Sequence, residues 1–476
     1  RHYQFWFAVL ALHKLGAVGV PATNLLTVKD LNYRFGAAEI KHIVCTAQGN
    51  VSGFVEEAQK TYGGIETRFM AKGGRDGWID FDAELEKQPA TFAREKTAVE
   101  DVLLLYFTSG TTGYPKMVRH DHSYPIAHII TAKYWHNMQA DGLHLTVSDT
   151  GWMKSMWGKL YGQWLMEACV FTYDFDRFSG DEICALVDKY EISTLCCPPT
   201  MYRLIMQGSV NSYSLASLEY CVTAGEALNP DLFDMWKERT GLYLTEGFGQ
   251  TETPVTICNS LNMVPKPGSM GRPLPLYETQ ILDEDGRQCA VGQTGEICIR
   301  CGLEGDGSGV KRPSGLMMEY YRDTVKTAEA IHDGWYHTGD TAWRDEDGYY
   351  WYVGRTDDVI KSSGYRIGPF EIESVLLEHA AVRECAVTGV PDPVRGTAVK
   401  ATIVLAPDYT ASDDLTKELQ DYVKKTTAPY KYPRIISYVE ALPKTVNGKV
   451  RRAAIRAEDE AGAEAASTRP PEEFGG

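Results

Sequence analysis

The chain has 476 residues, 43% of them hydrophobic and 24% charged, the composition of a soluble globular protein too long for one comfortable core, so two or more domains are expected. Its formal net charge of -16 disfavours sequence-independent nucleic-acid binding, which needs a basic surface. Eleven cysteines, an odd number without regular spacing, point to reduced thiols in a cytoplasmic protein rather than a disulfide framework.

Near the start, the apolar stretch Phe5 to Leu12 is far shorter than the roughly 20 residues that span a bilayer, and it reads as part of a buried helix over Tyr3 to Lys14. No membrane span is expected. The chain opens without Met and inside a fold element, so it reads as N-terminally truncated, with any targeting signal upstream. The strand-like run Val102 to Phe107 then leads into Thr108-Ser109-Gly110-Thr111-Thr112-Gly113-Tyr114-Pro115-Lys116. Glycines let backbone N–H groups approach an anion, hydroxyls add donors, and Lys116 supplies a compact positive charge, so this turn is a polyphosphate-binding candidate. Its spacing is not that of a Walker A loop. Further on come a helix over Asp181 to Tyr190 and a buried strand ending in Cys196-Cys197 before Pro198-Pro199. Such alternation indicates a large, multilayer α/β domain.

Between Tyr277 and Tyr352 strands dominate (Tyr277 to Leu282, Gly295 to Arg300, Tyr349 to Val353), punctuated by Asp285-Gly286 and Asp347-Gly348, and a β-rich subdomain is expected. After Arg355 the texture changes. Pro369 opens a helix with Ile372, Val375 and Leu376 at helical spacing, Asp413 to Lys425 gives a second, and strands Glu384 to Val390 and Val399 to Leu405 lie between them. This is a small α+β domain. The acidic Ala/Glu/Pro/Gly tail over 457–476 is expected to be disordered.

Five blocks occur in order around these elements: the loop just described, Ala224-Gly225-Glu226-Ala227-Leu228, Thr245-Glu246-Gly247-Phe248-Gly249-Gln250-Thr251-Glu252, Tyr336-His337-Thr338-Gly339-Asp340 with Gly354-Arg355-Thr356-Asp357-Asp358, and Pro443-Lys444-Thr445-Val446-Asn447-Gly448-Lys449. Together they resemble the adenylate-forming (AMP-binding) enzymes, which include acyl-CoA synthetases, carrier-protein adenylation domains and luciferases, and the resemblance spans almost the whole chain. It implies an AMP-binding domain over residues 1–356 and a mobile α+β domain over 357–456, with the hinge at Asp357.

The resemblance also implies roles. Thr108, Ser109, Gly110, Thr111, Thr112, Gly113 and Lys116 would hold the phosphates of ATP. Gly225, Glu226 and Ala227 would flank the adenine, with Glu246, Gly247, Phe248, Gly249 and Gln250 as its wall. Thr251 would meet the α-phosphate, Glu252 would bind Mg²⁺, and Asp340 and Arg355 would hold the ribose. Asn447-Gly448 is a hairpin-turn pair that puts Lys449 at a loop tip, and the family swings this lysine onto the reacting carboxylate and phosphate. Ser363, Gly364, Tyr365, Arg366, Arg395, Lys424 and Tyr432 resemble positions that hold CoA after the small domain rotates.

Phe248 stands where tyrosine is common, which keeps a flat ring and loses a hydroxyl. Gly249 lies where acetate-specific relatives carry a tryptophan, and with Trp157 it would shape a pocket for a medium-chain or aromatic acid. The expected partner is thus a small-molecule carboxylic acid, handled by a monomer or homodimer. Open alternatives are an acetate or short-chain enzyme, an adenylation domain loading a carrier protein, and a non-catalytic nucleotide-binding module. His120 and His122 around Asp121 fall short of four metal ligands.

Overall fold

The apolar run ahead of the loop folds as strand Val102–Phe107, with five of its six residues buried. It pairs antiparallel with Met117–Asp121, which pairs in turn with Glu319–Tyr320. Thr108 N–H donates to the Lys116 carbonyl at 2.9 Å, closing the neck of the loop between them. The computed structural model describes residues 1–108, 115–302, 309–362, 365–392, 395–445 and 448–467, with side chains to residue 461. Ser109, Gly110, Thr111, Thr112, Gly113, Ser363 and Gly364 therefore lie outside the described residues.

The large domain is organised by a 12-stranded sheet. One half is parallel: Leu143–Thr146, Thr194–Cys196, Tyr220–Ala224 and Leu244–Gly249 run side by side, as α/β crossovers require. The other half begins where Val255–Cys258 turns back antiparallel on Leu244–Gly249, and continues through Ser269–Pro273, Tyr350–Arg355, Trp335–Arg344, Gly295–Arg300 and Thr279–Leu282. This is the β-rich segment read from the Asp-Gly punctuation. Gly286 and Gly348 take positive φ of 74° and 81° at those turns.

Helices cover the parallel half. Helix Gly180–Tyr190 buries Ile183, Cys184 and Val187, one stripe of its surface, and Ser179 caps it by accepting the Glu182 N–H. Helix Pro199–Gln207 starts at the second proline of the pair, where a missing N–H costs nothing. Cys196 and Cys197 are fully buried beneath it, and all eleven cysteines are free thiols. The first helix is Gln4–Leu15. Among the described residues no helix is long and apolar enough to cross a membrane.

After Arg355, hairpin Ile360–Ser362/Tyr365–Ile367 leads to helix Pro369–Glu378. That helix and Asp413–Thr426 pack on a sheet of Val382–Asp392, Gly396–Leu405 and Ile435–Tyr438 around Ile372, Leu376, Val387, Ala401, Leu419 and Val423. The terminal segment differs from expectation, because residues 452–467 form helix Arg452–Ser467. Its Ala and Glu residues favour helix. Ion pairs from Asp459 to Lys400 and from Arg456 to Asp358 hold it on the small domain.

The large domain also encloses imidazoles. His120, His128, His136 and His144 are at most 1% exposed, and burial pushes His120 down to about 4 and His128 and His144 to about 3, with His136 lowered too. His144 shares its two nitrogens with Thr194 and Thr146 hydroxyls, each at 2.7 Å. Since the folded values lie below the unfolded one near 6.5, the unfolded chain binds more protons as pH falls through this window. Stability contributed by the neutral rings is full above about pH 6.5 and lost towards pH 3 to 4. The urea midpoint is accordingly expected to fall between pH 7 and 5, and His144→Gln should flatten that slope. An equal slope in both proteins would count against the buried-imidazole origin.

Candidate active site

The site forms where the large sheet changes from parallel to antiparallel, at the carboxyl ends of Tyr220–Ala224 and Leu244–Gly249, the usual place for ligands in open α/β sheets. Gly225 leaves its strand with φ 102° and is exposed, offering a strip of bare backbone. Glu226 beside it accepts the Thr200 hydroxyl at 2.7 Å, and Ala227 is partly buried. On the adjacent strand Gly247 pairs with Ala224. A Cβ at Gly247 would lie 2.6 Å from the Trp135 ring, so the glycine is required there by packing. Glu246 is buried, and burial raises its carboxyl to about 8. Phe248 is partly buried against the core of the antiparallel half.

Asp340 and Arg355 are cross-strand partners in the antiparallel half. The Asp340 carboxylate is 5% exposed. It accepts from Gln250 Nε2, from the Tyr352 hydroxyl at 3.1 Å and from Arg355 Nη1 at 3.3 Å. Burial raises its pKa, opposed chiefly by Arg355. Arg355 and Gln250 both also donate to the Thr338 carbonyl, at 3.0 and 2.7 Å. Behind the strand, Glu296 accepts the Gly339 N–H at 2.7 Å and meets His337 Nδ1 at 3.0 Å, with Cys298 Sγ 3.5 Å from that nitrogen. This group props the Gly339 turn that presents Asp340.

The contacts continue to Lys116. Tyr336 donates to Gln250 Oε1 at 2.6 Å, Tyr320 donates to Glu252 Oε1 at 2.8 Å, and Lys116 Nζ donates to the Tyr320 hydroxyl at 2.8 Å. Lys116 itself stands 4.0 Å from Glu252. Burial lowers the Lys116 pKa while Glu252 raises it. Thr251 is held by its carbonyl, which meets His120 Nε2 at 2.8 Å. The Thr108 hydroxyl is buried with no partner among the described residues, at the loop's neck. Thus Thr108, Lys116, Gln250, Thr251, Glu252, Asp340 and Arg355 are brought together through these contacts and the consecutive stretch Gln250 to Glu252.

Lys449 sits on an exposed hairpin, where Gly448 takes φ 84° and the Thr445 N–H donates to the Lys449 carbonyl at 2.8 Å. Its charge reaches the cleft, favouring the Asp340 carboxylate and disfavouring the Lys154 ammonium. Arg366 points elsewhere and pairs with Glu284 of the large domain at 2.5 Å. Elsewhere on the small domain Tyr365 stacks on Tyr430 at 4.0 Å, Lys424 lies 5.2 Å from the Tyr432 ring, and Arg395 pairs with Asp392 at 3.7 Å. Asp357 is half-exposed, 3.8 Å from Arg355 Nε.

Trp157 is 5% exposed and packs in the interior against Trp135 and His136. At Gly249 the direction of a Cβ is closed by the Pro254 carbonyl at 2.5 Å, so this glycine answers to the tight turn between strands. Sequence reasoning missed Tyr320, Tyr336 and Tyr352, which tie the acids together. It also missed Lys154, whose ammonium donates to the Ala224 carbonyl at 2.5 Å and lies 3.4 Å from a Cβ position on Gly225. The available signal for Lys154 was a charge among the otherwise apolar residues after Trp152.

Residues 1–303 match the model of the AMP-binding enzyme family, and residues 371–449 match that of the AMP-binding enzyme C-terminal domain. Over 458 residues the chain is 41% identical to the mitochondrial acyl-coenzyme A synthetase ACSM3 of Mus musculus, covering 95% of this chain and 77% of that protein. Mitochondrial ACSM5 of Homo sapiens is 40% identical over 460 residues, with coverages of 96% and 78%. The anthranilate CoA ligase AuaEII, solved with anthranoyl-AMP, superposes with a TM-score of 0.86 at 28% identity, covering 96% of this chain and 85% of that one. A benzoate CoA ligase from Burkholderia xenovorans gives 0.80 at 25% identity, with coverages of 94% and 86%. Asp340→Asn, which removes the charge that Arg355 pairs with, is expected to weaken AMP binding about tenfold or more by calorimetry, the cost of a charged hydrogen bond. Unchanged affinity would remove Asp340 from the nucleotide site.

Proposed function

Because the chain belongs to the AMP-binding enzyme family, as an AMP-forming acid–CoA ligase, we propose that it activates a medium-chain or aromatic carboxylic acid and passes the acyl group to coenzyme A through the residues assembled above. The observation that carries this reading is a pair of hydrogen-bonded networks joined by the consecutive residues Gln250, Thr251 and Glu252: Lys116, Tyr320 and Glu252 on one side, and Tyr336, Gln250, Asp340 and Arg355 on the other, with Lys449 in electrostatic reach.

A carboxylate cannot acylate a thiol directly, because hydroxide is a poor leaving group. In the first half-reaction its oxygen attacks the α-phosphorus of ATP and the bond to pyrophosphate breaks. Two anions must therefore meet, and the cleft answers with fixed cations and donors. Asp340 accepts the ribose hydroxyls while Arg355 favours its charged form against burial, which raises its pKa. The Gly225 to Ala227 strip and the Glu246 to Gln250 wall bound a slot for the base. Lys116 and the Thr108 hydroxyl face the departing phosphates. Lys449 stabilises charge growing on the transferring oxygens. A magnesium ion fits the hard carboxylate of Glu252, and when bound it would neutralise phosphate charge.

In the second half-reaction the CoA sulfur attacks the acyl carbon and AMP leaves. Arg366 and Lys424 suit phosphates, and the Tyr365/Tyr430 stack and Tyr432 suit a base. The pairing of Arg366 with Glu284 supports reading the present arrangement as the adenylate-forming one, with rotation at Asp357 bringing in the other face. That cluster favours CoA over a carrier-protein thiol. Free cysteines support a reducing compartment, the cytoplasm first among them.

Lys449→Ala is expected to slow acyl-adenylate formation about a hundredfold or more while affecting thioester formation from supplied acyl-AMP much less, and Arg366→Ala should do the converse. Equal losses in both half-reactions would defeat the two-state reading. Pyrophosphate exchange across acetate, butyrate, hexanoate and benzoate, with and without CoA, tests the class of acid. A higher kcat/KM for acetate than for the other three would refute the medium-chain or aromatic assignment.

A further inference from the structure

We propose that Arg452, with Asp358 and Arg456, is a positioning device that ties the Lys449 hairpin to the first residue beyond the hinge, so that the small domain turns as one lever. The inference deepens the two-half-reaction reading above and rests on it for its catalytic consequence.

The Lys449 hairpin is closed by a bridge between Lys444 and Val450 and by the Arg451 N–H donating to the Pro443 carbonyl at 2.8 Å, and it is held on the small-domain sheet by the Lys444–Glu384 ion pair at 2.5 Å and by Leu442 and Val450 packed with Ala386, Val404 and Ile455. An isolated two-stranded hairpin is marginally stable in water, and a tip displaced by about an ångström can lose roughly a hundredfold in rate. Those contacts join the hairpin to the sheet, whereas the hinge is reached through Arg452. Arg452 opens the last helix three residues beyond Lys449, and its guanidinium lies flat on Glu373 of helix Pro369–Glu378. Nη2 meets the two carboxylate oxygens at 2.6 and 2.7 Å, and Nε meets one of them at 3.1 Å.

Glu373 is 7% exposed and is itself anchored, accepting the Val387 N–H of strand Val382–Asp392 at 2.8 Å. Arg452 Nη1 stands 3.7 Å from Asp358, and Arg456, one helical turn on, reaches the other Asp358 oxygen at 2.5 Å. The backbone N–H of Asp358 donates to the Arg355 carbonyl at 3.1 Å. Residue 358 thus ends the nucleotide-holding strand's turn and begins the moving domain. Exposed ion pairs contribute little, but these carboxylates are nine-tenths covered and the Arg452 contact is forked, which fixes direction as well as distance. Lysine would offer a point charge without that direction.

The test compares Arg452→Ala, Arg452→Lys and Asp358→Asn with the unaltered chain. Three measurements are made: pyrophosphate exchange, thioester formation from supplied acyl-AMP, and backbone hydrogen exchange. Arg452→Ala is expected to lower kcat for acyl-adenylate formation about tenfold or more, with KM for ATP little changed and the thioester step much less affected. Exchange should quicken at the described residues between Pro443 and Arg451 while the small-domain sheet keeps its protection. Arg452→Lys should recover part of the rate. Should Arg452→Ala fail to fold, Asp358→Asn carries the same comparison, since it leaves the Arg452 contact with Glu373 intact. Equal slowing of both steps, or unchanged exchange at the hairpin, would overturn the lever. A wild-type chain that makes no acyl-adenylate would defeat the proposed function, while the exchange comparison would still decide the mechanical claim.

Discussion

A buried carboxylate whose neighbours support its charged form against burial is the constraint around which this site is arranged. Asp340 is almost wholly covered, and burial alone would favour its neutral form. Arg355 opposes that tendency from the neighbouring strand, and the pairing register makes the two residues direct cross-strand partners. Gln250 and Tyr352 supply the remaining donors. Removing any partner leaves a charge or a lone pair unmatched in a poorly solvated place, which is more costly than never having had the pair. The strands that carry or adjoin these groups, Leu244–Gly249, Trp335–Arg344 and Tyr350–Arg355, are therefore held together by the same contacts that shape the candidate site.

Sheet topology explains how blocks so far apart in the chain can meet. The parallel half ends its strands at Ala224 and Gly249, on one edge of the layer. Reversal into the antiparallel half returns Asp340 and Arg355 to that edge, and the separate Val102–Phe107 sheet brings Lys116 alongside through Tyr320. Tyrosines do the joining. Their rings fill apolar space while their hydroxyls reach acids and amides, as Tyr320 does to Glu252 and Tyr336 to Gln250.

Much of this was legible in the amino-acid order because local rules and the fold agree. Gly295–Arg300 is a strand at the bounds read from its apolar run. Pro369 opens its helix, and Gly448 makes the turn expected of Asn447-Gly448. What escaped depended on long-range pairing or on competing propensities. The terminal acidic segment has a composition shared by disordered tails and by helices, and the deciding facts are its pairs with Lys400 and Asp358. Tyr320, Tyr336 and Tyr352 look like ordinary strand residues until Glu252, Gln250 and Asp340 are placed beside them. Lys154 reveals itself only through its contact with Ala224. At Gly249 the missing side chain suggested room, whereas the Pro254 carbonyl occupies that direction.

The absent side chain at Gly247 leads further. The indole of Trp135 fills the space a methyl group would need, and that indole donates to the Thr245 carbonyl and packs on Trp157. The strand expected to flank a nucleobase is thus also a wall of the Trp135/Trp157 aromatic core. Evolution or engineering cannot place a side chain at this position without first repacking the interior, so whatever this stretch of strand contacts is inherited together with foldedness rather than adjusted on its own.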